Sequence, residues 1–260
     1  MNARCDPWVE QFRQLGATPG RTVFVHADTS RLGGPGPTGS LGASLRRLHG
    51  TLREAIGPGG TLCAPTFTYA FCKGAAFDPG ASPAETGFFP NYLLRQPGVV
   101  RSDHPVFSCA AEGPDAAALC GLVSTSAFGP GSALHRLRAA GALLLFAGAS
   151  FDRCTYLHVV EEEIGVAYRY PKAFRGRLRS AAWGWVDTVA TVFVRDLERK
   201  VETRFERLEA ALRAAGEFRT PAEPGAPAIL AVECGALHRA AGAGIRTDPH
   251  FAASWTDPTH

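Results

Sequence analysis

One ordered run of elements near the N-terminus constrains what this chain can fold into. Residues 22–26, Thr-Val-Phe-Val-His, form an apolar strand pattern, and a loop rich in glycine, proline and serine follows to residue 40. A helical pattern then runs over 40–56 with Ser40 at its N-cap, and the turn 57–60, Gly-Pro-Gly-Gly, delivers a second apolar run over 61–65. A strand, a helix and a strand in that order imply a parallel sheet covered by helices.

The rest of the chain extends that plan. Residues 66–90 read as loop, 91–96 as a helix ending at Pro97-Gly98, and 99–105 as an extended segment. Short helices are predicted over 114–121 and 132–140, a buried strand over 143–147, and a helix from Thr155. Alternation over 183–194 predicts antiparallel strands, and a charged helix follows over about 196–214. The tail from 216 gives one clear strand, 228–232. No internal repeat and no sharp boundary divides the 260 residues, so they read as a single domain. The expected fold class is α/β: a central, mostly parallel sheet flanked by helices, with a smaller antiparallel β element.

Composition removes several function classes. No apolar run approaches the roughly 20 residues that span a bilayer, and the N-terminus lacks the apolar core of a secretory signal, so a cytoplasmic location without membrane partners is expected. The net charge of +3 is mild, and acidic residues such as Glu198, Glu202, Glu206 and Glu209 interleave with the basic ones, which argues against nucleic-acid binding. Seven scattered cysteines without a C-x-x-C pair read as reduced thiols rather than a disulfide framework or a zinc site.

Chemistry concentrates after the strand 143–147, which stops at Gly148 and leads through a polar turn into a helix. Strand ends of this kind are where α/β proteins place their sites. Asp152 or Thr155 can cap the helix, and His158 and Glu161, one turn apart, share a face as a general base and its carboxylate would. Cys154, four residues before His158, leaves a Cys/His nucleophile open. A metal is not expected, since no third ligand stands at diagnostic spacing from His158 and Glu161. The glycine-rich loop of 26–40 opens a helix N-terminus, which suits phosphate but fits a ligand-free turn equally well. The run Arg101-Ser102-Asp103-His104-Pro105-Val106-Phe107-Ser108 concentrates donors on a backbone that Pro105 holds extended.

Taken together, these segments resemble the aminoglycoside 3-N-acetyltransferase family. The matching blocks are Val25-His26-Ala27-Asp28 through Leu32-Gly33, Gly57-Pro58-Gly59-Gly60-Thr61-Leu62 with Pro65-Thr66-Phe67-Thr68, and Phe77-Asp78-Pro79 with Gly87. Then come Arg101-Ser102-x-His104-Pro105-x-x-Ser108, Phe128-Gly129 through Ser132-Ala133-Leu134, and Asp152-x-x-Thr155-x-Leu157-His158-x-x-Glu161. They stand in family order across roughly residues 8–175.

The resemblance implies a fold distinct from the common N-acetyltransferases and acyl transfer from acetyl-coenzyme A to an amine without a covalent enzyme intermediate. His158 would be the base, with Glu161 or Asp152 orienting it. His26, Asp28, Ser30, Arg31, Leu32, Gly33, Ser40, Arg101, Ser102, His104 and Ser108 would line the coenzyme A groove. Thr66, Phe67, Asp78 and Glu162 would face the acceptor. The expected partner is a small-molecule amine, and a homodimer is compatible with the resemblance.

Departures shape the expected acceptor. A longer insert usual before the Asp-Pro block is reduced to residues 69–77, His26-Ala27-Asp28 replaces His-Ser-Ser, and an acidic run gives way to Arg195-Asp196-Leu197-Glu198-Arg199-Lys200. Residues 161–170 look more like relatives associated with sugar or surface-polysaccharide biosynthesis. The expectation is therefore one amine on a sugar or small metabolite, the alternatives being an aminoglycoside 3-N-acetyltransferase conferring resistance or a Cys154/His158 hydrolase.

Overall fold

The computed structural model describes residues 6–32, 39–221 and 228–256. Helix α1, Pro7–Gln14, opens on a proline at the position where the missing N–H costs nothing, and Asp6 caps it by accepting from Trp8 N–H. Strand β1 is Thr22–Ala27, helix α2 Leu41–Ile56 and strand β2 Thr61–Pro65. They form the βαβ unit read from the sequence, with β1 and β2 parallel and Thr22 opposite Thr61. Helix α3 is Phe88–Leu93, followed by β3, Val100–Arg101, and β4, Cys109–Glu112. Helices α4, Ala116–Cys120, and α5, Ala133–Ala139, lead into β5, Leu143–Ala147, and then α6, Leu157–Ile164.

Beyond α6 the chain forms a long ribbon of β6, Arg169–Ser180, and β7, Gly184–Arg195. The short β8, Glu202–Thr203, α7, Glu206–Ala214, β9, Ile229–Glu233, α8, Cys234–Thr247, and β10, Ala253–Ser254, complete it. The main sheet runs β3-β4-β2-β1-β5-β9. Its centre is parallel, β1 pairing both β2 and β5, while β4, β3 and β9 add antiparallel edges. The expected α/β sheet with a separate antiparallel element is thus what forms.

Alternating side chains of the central strands divide the core in two. Val23, Val25, Leu143 and Leu145 pack against α1 and α2, whereas Phe24, Leu144 and Phe146 face the layer containing α5, α6 and α8. Each large side chain here is fully buried and contributes about 1.5–3 kcal/mol relative to exposure. No helix among the described residues is long and apolar enough to cross a membrane.

Three elements differ from the sequence reading. Strand β6 carries Pro171, Gly176 and alternating basic residues, a pattern without an apolar period, yet it pairs β7 from Arg169↔Arg195 to Ser180↔Gly184. The helix expected from 196 begins at Glu206, because 196–200 turns back with Lys200 at φ +49°. Helix α8 was hidden by its own glycines. At Gly244 a Cβ would collide with the Phe251 ring, so the glycine serves close packing. The ribbon is stitched to the body at both edges: Phe77 exchanges backbone bonds with Arg177 and Arg179, and Thr191 with Thr125 and Ala127.

Candidate active site

The C-terminal ends of β1 and β5 set the position of the site. Gly148 at the end of β5 has φ +73°, and a Cβ there would run into the Asp28 carbonyl at the end of β1. The chain then turns through a short 3₁₀ segment, Phe151–Arg153, into α6. Neither expected residue caps that helix: Tyr156 stands at the N-cap without a side-chain capping bond, and Thr155 Oγ1 donates back to the Arg153 carbonyl.

His158 and Glu161 do meet. Nδ1 of His158 lies 2.5 Å from Oε2 of Glu161, whose carboxylate is fully buried. Tyr168 donates its hydroxyl proton to Oε1 at 2.9 Å, and Arg169 Nε stands 2.8 Å from Oε2. With the Nδ1 proton directed at the carboxylate, the Nε2 lone pair of the ring is left for a ligand. The side chain is 22% exposed and borders a cavity of about 690 Å³. Phe107, Phe128 and Phe174 give that cavity apolar walls, and Lys172 and Arg195 reach it from the ribbon.

The electrostatics keep the imidazole in its base form. Burial pushes its pKa down, Arg169 and Arg195 push the same way, and Glu161 opposes without prevailing. Burial alone would raise the Glu161 carboxyl, but His158, Arg169 and Tyr168 outweigh it and hold the group below the ordinary range. Cys154 borders the same cavity, but burial pushes its thiol up to about 12, so it presents no thiolate near neutrality.

Other expected site residues are placed elsewhere. Asp152 does not orient the imidazole: it is exposed, accepts from the Ser150 hydroxyl and lies 3.9 Å from Arg153. Arg101 is a buried clamp rather than a groove donor. It donates to Ser108 Oγ, to the carbonyls of Thr66, Ser82 and Pro79, and to Thr68 Oγ1. Ser108 in turn donates to the Thr66 carbonyl, Thr66 Oγ1 donates to the Ser108 carbonyl, and Ser102 Oγ accepts from Cys109 N–H. These hydroxyls are consumed holding residues 66–82 against β3 and β4.

His104 accepts from Val106 and Phe107 N–H through Nδ1, and burial lowers it to about 4. Phe67 is buried against Tyr69 and Phe107 and does not line the cavity. Asp78 pairs with Arg179 at 2.9 Å in a second cleft, and Glu162 accepts from Ser126 away from the cavity.

The N-terminal loop shows the same division. Leu32 is buried in the core on the far side of the sheet, and Ser40 Oγ accepts from Ala43 N–H as the α2 cap. Asp28, Ser30 and Arg31 bond to one another at the surface. Gly33 lies outside the described residues. His26 is stacked on Phe146 at 4.9 Å and driven to about 3 by burial, its Nε2 enclosed without a protein partner. Sequence reasoning missed Tyr168 and Arg169. The signal available was Gly165, whose left-handed φ of +74° ends α6 and folds the chain back on Glu161.

Comparison with known proteins gives a consistent result. Residues 24–243 match the family described as aminoglycoside 3-N-acetyltransferase. Aminoglycoside N(3)-acetyltransferase IV from Salmonella sp is 34% identical over 167 residues, covering 63% of this chain and 60% of the relative. The chain's match therefore spans less than two thirds of that relative's length. Among solved structures, aminoglycoside acetyltransferase AAC(3)-Xa superposes with a TM-score of 0.79 at 26% identity, covering 94% of this chain and 92% of the other. AAC-IIIb, solved as a binary complex with CoASH, shares the fold with a TM-score of 0.77 at 22% identity and 97% coverage of both chains.

Proposed function

The chain belongs to the aminoglycoside 3-N-acetyltransferase family, and from that membership we propose that it transfers an acetyl group from acetyl-coenzyme A to an amine of an aminoglycoside. The observation that carries the reading is the pairing of His158 with the buried Glu161, its second imidazole nitrogen left for a ligand in a large cavity.

The residues present fit a thioester donor. Aromatic walls suit an apolar arm. Coenzyme A supplies a reactive acyl carbonyl and a thiolate that leaves readily, so the protein has no need of its own nucleophile. His158 Nε2 takes the proton from the acceptor amine, and Glu161 holds the ring and balances the charge it gains. Arg169 and Tyr168 keep Glu161 ionised and fixed. Transfer through Cys154 is disfavoured by its protonated, buried thiol.

A second acceptor reading, a single amine on a sugar or small metabolite, is favoured by one observation: the cations Lys172 and Arg195 on the cavity wall. Thiol release from acetyl-coenzyme A, measured across aminoglycosides and simple amino sugars, separates the two. His158→Ala is expected to lower turnover by about 10²–10⁴-fold while leaving coenzyme A bound. Equal turnover by the variant would sink the assigned base.

A further inference from the structure

The residues after α8 reach back to the site from behind. The chain turns at Asp248, whose carboxylate accepts from His250 N–H at 2.9 Å and pairs with Arg207 at 2.5 Å. It then runs as β10 against β8, Ala253 opposite Thr203 and Ser254 opposite Glu202. Backbone bonds hold this strap on either side of Trp255: Arg204 N–H donates to the Ala252 carbonyl, and Thr256 N–H to the Arg199 carbonyl. The indole of Trp255 is partly buried and lies over the Tyr168 ring, centroids 4.7 Å apart and planes 33° apart. His250 stacks on the same indole at 3.8 Å and 17°.

Tyr168 links this strap to the chemistry. It is fully buried, and its hydroxyl donates at 2.9 Å to Oε1 of Glu161, the carboxylate whose other oxygen meets His158. A phenol aims its hydrogen bond only as well as its ring is held, and among the described residues Trp255 is the aromatic side chain that packs on this ring. We propose that Trp255 is a positioning residue of the transfer: it locks the Tyr168 ring, and through Tyr168 and Glu161 it fixes the orientation and the dry surroundings of the His158 imidazole. This rests on His158 being the base, as read above.

Opening that packing has a consequence of definite sign. The charged groups around the imidazole are Glu161 on its own helix, Asp152 and Arg153 in the preceding turn, and Arg169, Lys172 and Arg195 on the ribbon. Tyr69, Cys72 and Cys154 also border the cavity and are neutral near pH 7, each pushed up by burial. Burial first, then Arg169 and Arg195, depress the His158 pKa, and Glu161 opposes them. Water admitted beside Tyr168 weakens all of these influences, because each depends on the low dielectric of a packed interior. Their sum is downward, so the pKa climbs back toward the ordinary 6.5. The acid limb of kcat/KM, which reports the free protein, then moves to higher pH.

The test follows thiol release from acetyl-coenzyme A against pH, with the aminoglycoside that the parent acetylates fastest. It compares the full chain with Trp255→Ala, Trp255→Phe, Tyr168→Phe and the Trp255→Ala, Tyr168→Phe double variant. Trp255→Ala is expected to lower kcat by at least about tenfold with KM within about twofold, and to raise the acid limb by about half a pH unit. Trp255→Phe, which keeps a flat ring on Tyr168, restores both. The double variant is no slower than Tyr168→Phe, since two links of one relay do not add. An unmoved acid limb in Trp255→Ala, or losses that add in the double variant, overturns the proposal and leaves Trp255 a packing residue. If the parent turns over no amine, the transferase reading fails, and NMR titration of the His158 ring in the same variants still decides: a raised pKa in Trp255→Ala supports the proposal, and an unchanged one overturns it. Thermal melting shows that each variant is folded; if Trp255→Ala is not, Trp255→Leu takes its place.

Discussion

Replacing Glu161 by glutamine tests the site at its most buried charge. The carboxylate is fully enclosed and is met by His158 Nδ1 at 2.5 Å, Tyr168 hydroxyl at 2.9 Å and Arg169 Nε at 2.8 Å. An amide keeps the volume but removes the charge, leaving Arg169, 5% exposed at its side chain, without its counterion. Breaking one partner of a buried pair costs about 3–5 kcal/mol. For a chain of this size each kcal/mol shifts the melting temperature by roughly 2–4 °C, so a fall of about 6–20 °C is expected by calorimetry. The amide also no longer dictates which imidazole nitrogen carries the proton, and turnover should fall by about 10²–10⁴-fold. Adding Arg169→Met removes the stranded cation. Stability should then recover by roughly 1–3 kcal/mol through their coupling, whereas thiol release should stay low. If Glu161→Gln melts within about 2 °C of the parent and keeps its turnover, the carboxylate neither anchors Arg169 nor orients the base, and the argument is refuted.

Further expectations concern groups the site does not use chemically. His26 and His104 are buried neutral, at about 3 and about 4. Their depressed folded values mean that their stabilising contribution is complete above pH 6.5 and is lost as the pH falls toward those values. For His104 that loss reaches about 3 kcal/mol below pH 4, and His26→Phe should flatten the dependence of the urea midpoint between pH 7.5 and 5. Cys154→Ala should retain at least about half of the parental thiol release, since the neutral thiol performs no proton transfer; a loss beyond tenfold would revive the nucleophile. Arg101→Met strips donors from buried carbonyls and should cost about 2–4 kcal/mol with the coenzyme A dissociation constant unchanged. Loss of cofactor affinity without loss of stability would return Arg101 to the groove.

What the sequence made legible follows physical range. The βαβ unit was readable because both strands and the intervening helix declare themselves by local period, caps and a glycine turn. His158 and Glu161 were readable because a three-residue spacing on a helix fixes their geometry. Tyr168 and Arg169 were not, since they reach Glu161 only after Gly165 reverses the chain. The Arg101 donors were misassigned for a related reason: an arginine among hydroxyls looks alike whether it faces a ligand or the carbonyls of residues 66–82, and only the fold shows which. Strand β6 failed because its alternation places basic residues toward solvent and cavity rather than an apolar face toward a core.

The ribbon of β6 and β7 divides labour along its length. Its root, at Arg169, holds the Glu161 carboxylate behind His158, while the stretch carrying Lys172, Phe174 and Val192 lines the cavity in front of it. Beyond its root it joins the body through backbone bonds at Phe77 and Thr191, which are indifferent to side-chain identity. A lineage, or an engineer, can therefore rewrite residues along this arm and reshape the cavity without touching the helix that carries His158. Exchanging the arm between relatives, with its first residue kept as arginine, would be the economical way to transplant acceptor preference from one protein to another.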